Sequence, residues 1–244
     1  QFMLLILDIG NTNIKYALYE NDECQHIGVL NSEEDSNFEE IINVHPITHI
    51  FYSDVRGRFS NRISTIFPTV KKTSLTTALL KFPFKNNYTT PETLGSDRMA
   101  LMAAACFKYP KQACLVIDMG SCITYDFIDA DAVYYGGSIS LGIRMRYEAL
   151  HKQTARLPEL LPRRPESILG QSTEASIHAG VYYGIIAELE YQIDTYADKY
   201  SNLKIILTGG DHIRLSKSIK KPIFAEPNFL LEGMQALLQY NTDP

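Results

Sequence analysis

The sequence predicts an α/β protein of two duplicated domains with mixed sheets flanked by helices, and three observations support this prediction. A short apolar run, Met3 to Leu7, ends in Asp8-Ile9-Gly10, and a second, Cys114 to Ile117, ends in Asp118-Met119-Gly120. Each run is typical of a buried strand that ends in a turn. Apolar residues follow both turns, as expected for strands that return as hairpins. Asp118 follows Asp8 by 110 residues, nearly half of the 244-residue chain, which indicates a duplication.

Composition and charge exclude several classes of protein. Hydrophobic residues make up 45% of the chain and charged residues 21%, a globular balance. The net charge is −5 and no run of Lys or Arg occurs, so we expect no nucleic acid among the partners. The early apolar run, Phe2 to Leu7, is far shorter than the ~20 residues of a membrane span, so we expect no membrane partner. The four cysteines form no CxxC pair, which favours reduced thiols and a cytoplasmic location.

Periodicity and turn residues define the elements of the first half. Ile14, Tyr16 and Leu18 alternate along the predicted return strand. A helix is predicted to begin at Ser96, where Asp97 in the first turn suits the positive end of the helix dipole. Between the return strand and this helix, we predict a strand at Ile27 to Leu30 and a short helix near Ser36 with Phe38, Ile41 and Ile42 on one face. A strand at Thr48 to Ser53, a helix from Arg56 to Phe67 and a loop from Lys81 to Thr93 are predicted to follow.

The second half repeats the strand pattern and is richer in helices. A long apolar stripe at helical spacing predicts a helix from about Thr173 to Tyr200, and Asn228 is expected to cap a final helix. The remaining predicted elements are strands at Ile123 to Ile128 and Lys204 to Leu207, and a helix from Arg144 to Lys152. We predict domains at residues 1–113 and 114–244, with a last helix that can pack back across this boundary.

Three glycine-rich turns follow apolar strands, and they predict phosphate binding. They are Asp8 to Thr12, Asp118 to Ser121, and Thr208-Gly209-Gly210. Glycine allows close backbone approach, so that consecutive N–H groups can point at a phosphate. Neither a Walker loop nor a Rossmann fingerprint occurs, which leaves a phosphate clamp built from paired hairpins. The alternative for any one of these motifs is an ordinary turn.

Five motifs in order resemble those of type III pantothenate kinases. They are Asp8-Ile9-Gly10-Asn11-Thr12, Gly95-Ser96-Asp97-Arg98, Asp118-Met119-Gly120-Ser121 with Thr124 and Asp126, Gly136-Gly137-x-Ile139, and Thr208-Gly209-Gly210. That family belongs to the actin-like, acetate and sugar kinase superfamily. The resemblance implies duplicated ribonuclease-H-like (actin-like ATPase) domains. It also implies ATP-dependent phosphorylation of pantothenate to 4'-phosphopantothenate, the first step of coenzyme A biosynthesis.

The resemblance also implies which residues bind ATP and cations. Asp8 would organise Mg²⁺ through water, and Asp118 would lie at a site for a monovalent cation, K⁺ or NH₄⁺. Ser121 would contact an ATP phosphate. The full set of implied ATP-binding residues is Asp8, Ile9, Gly10, Asn11, Thr12, Asn13, Ile14, Lys15, Ser121, Thr208, Gly209 and Gly210.

The pantothenate site follows from the same resemblance. Asp97 would be the proton acceptor, and part of the site would come from the neighbouring subunit, which implies a homodimer. The implied substrate-binding residues are Tyr88, Gly95, Ser96, Asp97, Arg98 and Thr173.

Elementary chemistry supports the assignment of Asp97 and Arg98. A primary alcohol that attacks a phosphoryl group needs positioning and a group to take its proton, and one carboxylate supplies both. The planar guanidinium of Arg98 matches a substrate carboxylate. Without the family resemblance, the favoured alternative makes Asp97 a first-turn acid of a helix and Arg98 its solvated neighbour.

The sequence departs from the family pattern at a few positions. Ala17 replaces a usual glycine, Ser121-Cys122 replaces Thr-Ala, and Leu141 replaces a proline. None of these changes removes a carboxylate that the chemistry needs. Two alternative functions stay open: another small-molecule kinase of the superfamily, and a non-catalytic regulator that binds nucleotide.

Overall fold

A computed structural model describes residues 2–10, 12–30, 45–54, 57, 59–75 and 80–242. The short helix predicted near Ser36, with Phe38, Ile41 and Ile42, lies outside the described residues. The chain forms two compact units, one of Gln1–Lys108 with Phe229–Pro244 and one of Tyr109–Asn228. The sequence-based domains at 1–113 and 114–244 stay a prediction.

The first unit contains a mixed sheet and three helices among its described residues. Its elements are β1 (Met3–Ile9), β2 (Ile14–Glu20), β3 (Glu23–Leu30), β4 (His49–Asp54), α1 (Phe59–Ile66), β5 (Lys71–Ser74), β6 (Lys85–Asn86), a 3₁₀ turn (Pro91–Thr93), α2 (Ser96–Lys108) and α6 (Phe229–Thr242). The sheet order is β3-β2-β1-β4-β5. Strands β1 to β3 pair antiparallel, whereas β4 and β5 run parallel to β1.

The second unit repeats this plan. Its elements are β7 (Cys114–Met119), β8 (Cys122–Ile128), β9 (Val133–Leu141), α3 (Ile143–Lys152), α4 (Thr173–Lys199), β10 (Lys204–Thr208), α5 (His212–Ser216) and β11 (Phe224–Ala225). Its strands follow one another in the order β9-β8-β7-β10-β11, with β7 to β9 antiparallel and β10 and β11 parallel to β7. The two sheets therefore share order and strand direction, as a duplication requires.

The two repeated hairpins differ by one residue in their turns. Asp8 pairs with Lys15 across the first hairpin, whereas Asp118 pairs with Thr124 across the second. The first turn closes with a hydrogen bond from Gly10 N to Asn13 O, and the second with a tighter one from Gly120 N to Cys122 O. The constant spacing of 110 residues between the two hairpins therefore ends at the glycines, because the first turn holds one extra residue.

Apolar faces explain how the helices pack. In α4, Ile177, Ile185 and Leu189 belong to one buried cluster with the strands of the second unit, and the side chain of Ser172 caps the helix by accepting from Ala175 N. Helix α6 returns to the first unit and packs closely on α2, where a Cβ on Gly233 would lie 2.6 Å from Ala100 O. The predicted starts of α2 at Ser96 and α4 at Thr173 are confirmed.

None of the helices that the described part of the chain forms has the length and apolar character needed to cross a membrane. All four cysteines are free thiols, and Cys114 is buried.

Candidate active site

The first phosphate-binding turn lies at the carboxyl end of β1. Asp8 is half-buried and lies in register with Lys15 on one side and with Ser53 of β4 on the other. Thr12 is exposed. The side chain of Ile9 is buried, and that of Ile14 is too, so these two residues offer a ligand only their backbone. Asn11 lies outside the described residues.

Ser53 links this turn to the Gly95–Arg98 motif within the first unit. Ser53 is fully buried at the end of β4, and its Oγ lies 3.2 Å from Ser96 Oγ. Because Ser53 is the register partner of Asp8, the start of α2 is held against the edge of the sheet that carries the phosphate-binding turn. In the sequence, Ser53 is distinguished only as the last residue of a predicted strand.

The carboxylate of Asp97 folds back over Gly95. Asp97 Oδ1 accepts a hydrogen bond from Arg98 N at 2.8 Å, and a Cβ built on Gly95 would overlap the same oxygen. Any side chain at position 95 would displace this carboxylate, which explains the glycine of the motif. Asp97 is half-buried in the first turn of α2.

Arg98 is buried, with 6% of its surface exposed, which overturns the alternative of a solvated neighbour. Its guanidinium lies over the ring of Tyr88, 5.5 Å from the centroid, within the range of a cation–π interaction. The backbone of Tyr88 is fixed in turn, since its N–H donates to Asn86 Oδ1 at 2.9 Å. The structure thus brings together Tyr88, Gly95, Ser96, Asp97 and Arg98.

The second unit places two predicted turns side by side. Thr208 of β10 is in parallel register with Asp118 of β7, so the Gly209-Gly210 turn begins where the Asp118 turn begins. Gly209 has a φ of +87°, and a Cβ there would overlap Asp118 Oδ1 and lie 2.5 Å from Met119 N. Only glycine fits this contact. Thr208 is buried, whereas Ser121 and Gly210 are exposed.

Two residues that no sequence motif singles out hold the Gly209 turn in place. His212, also buried, has its Nδ1 2.5 Å from Gly209 O. The N–H of Asp211 donates to Met119 O at 3.0 Å. Burial raises the pKa of the Asp211 carboxyl, and the guanidinium groups of Arg214 and Arg144 act in the opposite direction.

Thr124 lies beside Asp118 with an unsatisfied hydroxyl. The two residues face each other across β7 and β8, and opposite residues of an antiparallel pair share one face of the sheet. Thr124 Oγ1 is buried and has no hydrogen-bond partner among the described residues. A buried oxygen beside a carboxylate is the kind of donor set that a monovalent cation can use. In the described part of the chain, no group of three or more His, Cys, Asp or Glu residues could hold a metal ion.

Thr173 is the first residue of α4 and is exposed.

Comparison with solved structures defines the class of fold. A putative Baf family transcriptional activator from Campylobacter jejuni matches with a TM-score of 0.62 and 23% identity, covering 97% of this chain and 98% of that one. Component A of (R)-2-hydroxyglutaryl-CoA dehydratase from Acidaminococcus fermentans matches with a TM-score of 0.52 and 12% identity, covering 99% and 98%. At these identities the likeness shows the fold alone. Together with the repeated mixed sheets flanked by helices, it confirms the predicted actin-like, ribonuclease-H-like class.

Sequence comparison narrows this class to one family. The family model described as type III pantothenate kinase matches residues 4–195. Type III pantothenate kinases of Flavobacterium psychrophilum and Flavobacterium johnsoniae are 42% and 43% identical, covering 98% and 99% of this chain and 99% of each relative. The chain therefore belongs to the type III pantothenate kinase family, as its motifs predicted.

Proposed function

We propose that this protein catalyses the ATP-dependent phosphorylation of pantothenate to 4'-phosphopantothenate, the first step of coenzyme A biosynthesis. One observation carries the proposal: in a member of this family, the start of α2 fixes the Asp97 carboxylate on the backbone N–H of Arg98 and holds the buried Arg98 guanidinium over the ring of Tyr88. This cluster offers a proton acceptor and an anchor for an anionic substrate within one short motif.

In this proposal, the guanidinium of Arg98 binds the carboxylate of pantothenate, and Tyr88 and Ser96 complete the pocket. The Asp97 carboxylate orients the primary hydroxyl and takes its proton as the oxygen attacks the γ-phosphoryl group of ATP. Such proton transfer typically contributes about 10²–10⁴-fold to the rate. The backbone of Gly95 leaves room for the Asp97 carboxylate.

ATP phosphates are proposed to bind the three glycine-rich turns: Asp8 to Lys15, Ser121 with Gly120, and Thr208 to Gly210. Positive φ at Gly209 and exposure at Ser121 and Thr12 support this assignment. Asp8 is proposed to hold Mg²⁺ through water, and Asp118 with Thr124 to hold K⁺ or NH₄⁺. These cations would supply positive charge that offsets the charge of the phosphates.

A coupled assay of ADP release tests the proposed function. Purified protein with Mg²⁺, ATP and pantothenate should turn over, and K⁺ or NH₄⁺ should support a higher rate than Na⁺. Turnover with another alcohol but not with pantothenate would favour a different small-molecule kinase. Nucleotide binding without transfer to any alcohol would favour the non-catalytic regulator.

Thr124→Val should weaken the response to the monovalent cation. The change removes the buried hydroxyl without changing the size of the side chain, so we expect the K⁺ concentration for half-maximal activity to rise about tenfold, the order of one lost ligand. Activity titrations with KCl, at ionic strength held constant with a large organic cation, measure this shift.

Thr195→Val is the matched control for this substitution. It makes the same chemical change on the exposed surface of α4, where the hydroxyl donates to the Tyr191 carbonyl at 2.8 Å. If the Thr124 variant and the control depend on K⁺ equally, Thr124 is not a ligand of the cation.

We also propose a homodimer with the pantothenate site near its interface and Thr173 contributed by the neighbouring subunit. Large apolar side chains are exposed in the segment before α4: Leu161, Ile168 and Leu169 are 72–81% exposed. Light scattering should give twice the 27.6 kDa of one chain, and Ile168→Ser with Leu169→Ser should lower this mass. A monomeric wild-type protein would contradict the proposal. A cytoplasmic location stays a prediction.

A further inference from the structure

A polar network in the second unit is centred on Glu188 of α4. Glu188 Oε1 accepts a hydrogen bond from Tyr125 Oη at 2.8 Å. Its other oxygen, Oε2, accepts from Ser140 Oγ at 3.1 Å and from Arg146 Nη2 at 2.5 Å. Burial alone raises the pKa of Glu188, but the hydrogen bonds from Arg146, Tyr125 and Ser140 hold it below its ordinary value. The carboxylate is therefore charged and oriented by three elements of the unit.

Arg146 extends this network to the corner between β9 and α3. Its Nε donates to Leu141 O at 2.9 Å, and its Nη2 donates to Ser140 Oγ at 3.1 Å. The backbone N–H of Arg146 also donates to Gly142 O at 3.1 Å. One side chain thus holds two consecutive residues at the end of β9, and the ion pair with Glu188 ties the corner to α4.

This corner lies directly against the turn of Gly120 and Ser121. A Cβ built on Gly142 would overlap Ser121 O and lie 2.7 Å from Gly120 O. Leu141 is also the register partner of Cys122, the residue after the turn. Because the contact is backbone against backbone, a shift of the corner displaces the turn.

We propose that Arg146 and Glu188 are positioning residues that fix the Gly120–Ser121 turn for binding of an ATP phosphate. The inference rests on the proposed function, since it assigns these two residues to the same nucleotide site. Neither residue was singled out by any motif, because the network joins positions 42 residues apart in the sequence. An ion pair that served only stability would leave the affinity for nucleotide unchanged.

Glu188→Gln tests the inference, because it keeps the shape of the side chain and removes its charge. We expect the Kd of ATP, measured by calorimetry without pantothenate, to rise about tenfold, the order of one charge-assisted hydrogen bond. The KM for ATP should rise in parallel, whereas the KM for pantothenate should stay unchanged. Arg146→Gln should give a similar rise, and the double variant should show less than the product of the two effects, because both residues act in one network.

Glu148→Gln is the matched control. Glu148 forms an exposed ion pair with Lys152 on α3, with a 3.1 Å separation of Nζ and Oε2. This variant loses the same charge on a neighbouring element and should bind ATP as the wild type does.

The outcomes separate this inference from the proposed function. Wild-type protein that turns over ATP and pantothenate, together with a Glu188→Gln variant of unchanged ATP affinity, overturns only the positioning role. If Glu188→Gln lowers the melting temperature and raises the KM for ATP and the KM for pantothenate equally, the positioning role is also overturned. The substitution then disturbs the whole protein and not the Gly120–Ser121 turn alone. Wild-type protein that neither binds nor turns over ATP overturns both.

Discussion

Asp97→Asn should lower kcat by about 10²–10⁴-fold, the usual contribution of a positioned general base. The amide keeps the size of the side chain and can still accept from Arg98 N, so the geometry of the Gly95–Arg98 motif should survive. What it loses is the ability to take the proton of the attacking hydroxyl. We therefore expect the Kd of ATP to change little, whereas the rate of ADP release should fall as kcat does.

The alternative interpretation of Asp97 makes a different prediction. If Asp97 served only as a first-turn acid of α2, the substitution would cost about 0.3–1 kcal/mol of stability through the helix dipole and would leave turnover intact. Glu174→Gln provides the matched control, because Glu174 is an acid in the first turn of α4 and is exposed.

Kinetics and thermal melting of both variants decide between these interpretations. A loss of kcat in Asp97→Asn alone, with similar small changes in melting temperature for both variants, supports the general base. Retention of more than about a hundredth of wild-type kcat by Asp97→Asn would contradict it, since the loss would then fall below the range for such a base.

The repeated part of the fold was predictable because it depends on local pattern. An apolar run followed by Asp-x-Gly defines a buried strand and its turn wherever it occurs, and both Asp8 and Asp118 lie in such strands. The starts of α2 and α4 were also predictable, since Ser96 and Ser172 are followed by acids in the first turn. These signals act over a few residues, and the sequence contains them directly.

The extra residue of the first turn was not predictable in the same way. Aligning the two segments of sequence shows that Gly10 and Gly120 correspond. The length of each turn, however, depends on which backbone carbonyl accepts the hydrogen bond from the glycine N–H. That choice is a three-dimensional property of the hairpin register, which a gap-free comparison of two strings does not contain.

The supporting residues of the candidate site depend on contacts between distant positions. Ser53 reaches Ser96 across 43 residues, and Glu188 reaches Tyr125 across 63. Burial of Arg98 likewise comes from packing, whereas its motif resembles a solvated helix start. The motifs thus located residues proposed to contact ligands, and the structure adds those that hold them in place.

Gly209→Ala should destabilise the second unit by about 2–6 kcal/mol, the sum of a strained backbone and an overpacked contact. A φ of +87° is unfavourable for alanine, and its Cβ would overlap Asp118 Oδ1. The turn has little freedom to move away, because two hydrogen bonds hold it. One joins Gly209 O to His212 Nδ1, and in the other the N–H of Asp211 donates to Met119 O.

Gly210→Ala isolates this effect from the general cost of losing a glycine. A Cβ on Gly210 meets nothing within 4 Å, and its φ is not in the left-handed region. Urea denaturation should therefore show a clearly lower midpoint for Gly209→Ala than for Gly210→Ala, with the latter close to the wild type. Equal midpoints would mean that the turn relaxes to accept a side chain. In that case the close contact with Asp118 would not be what requires glycine at position 209.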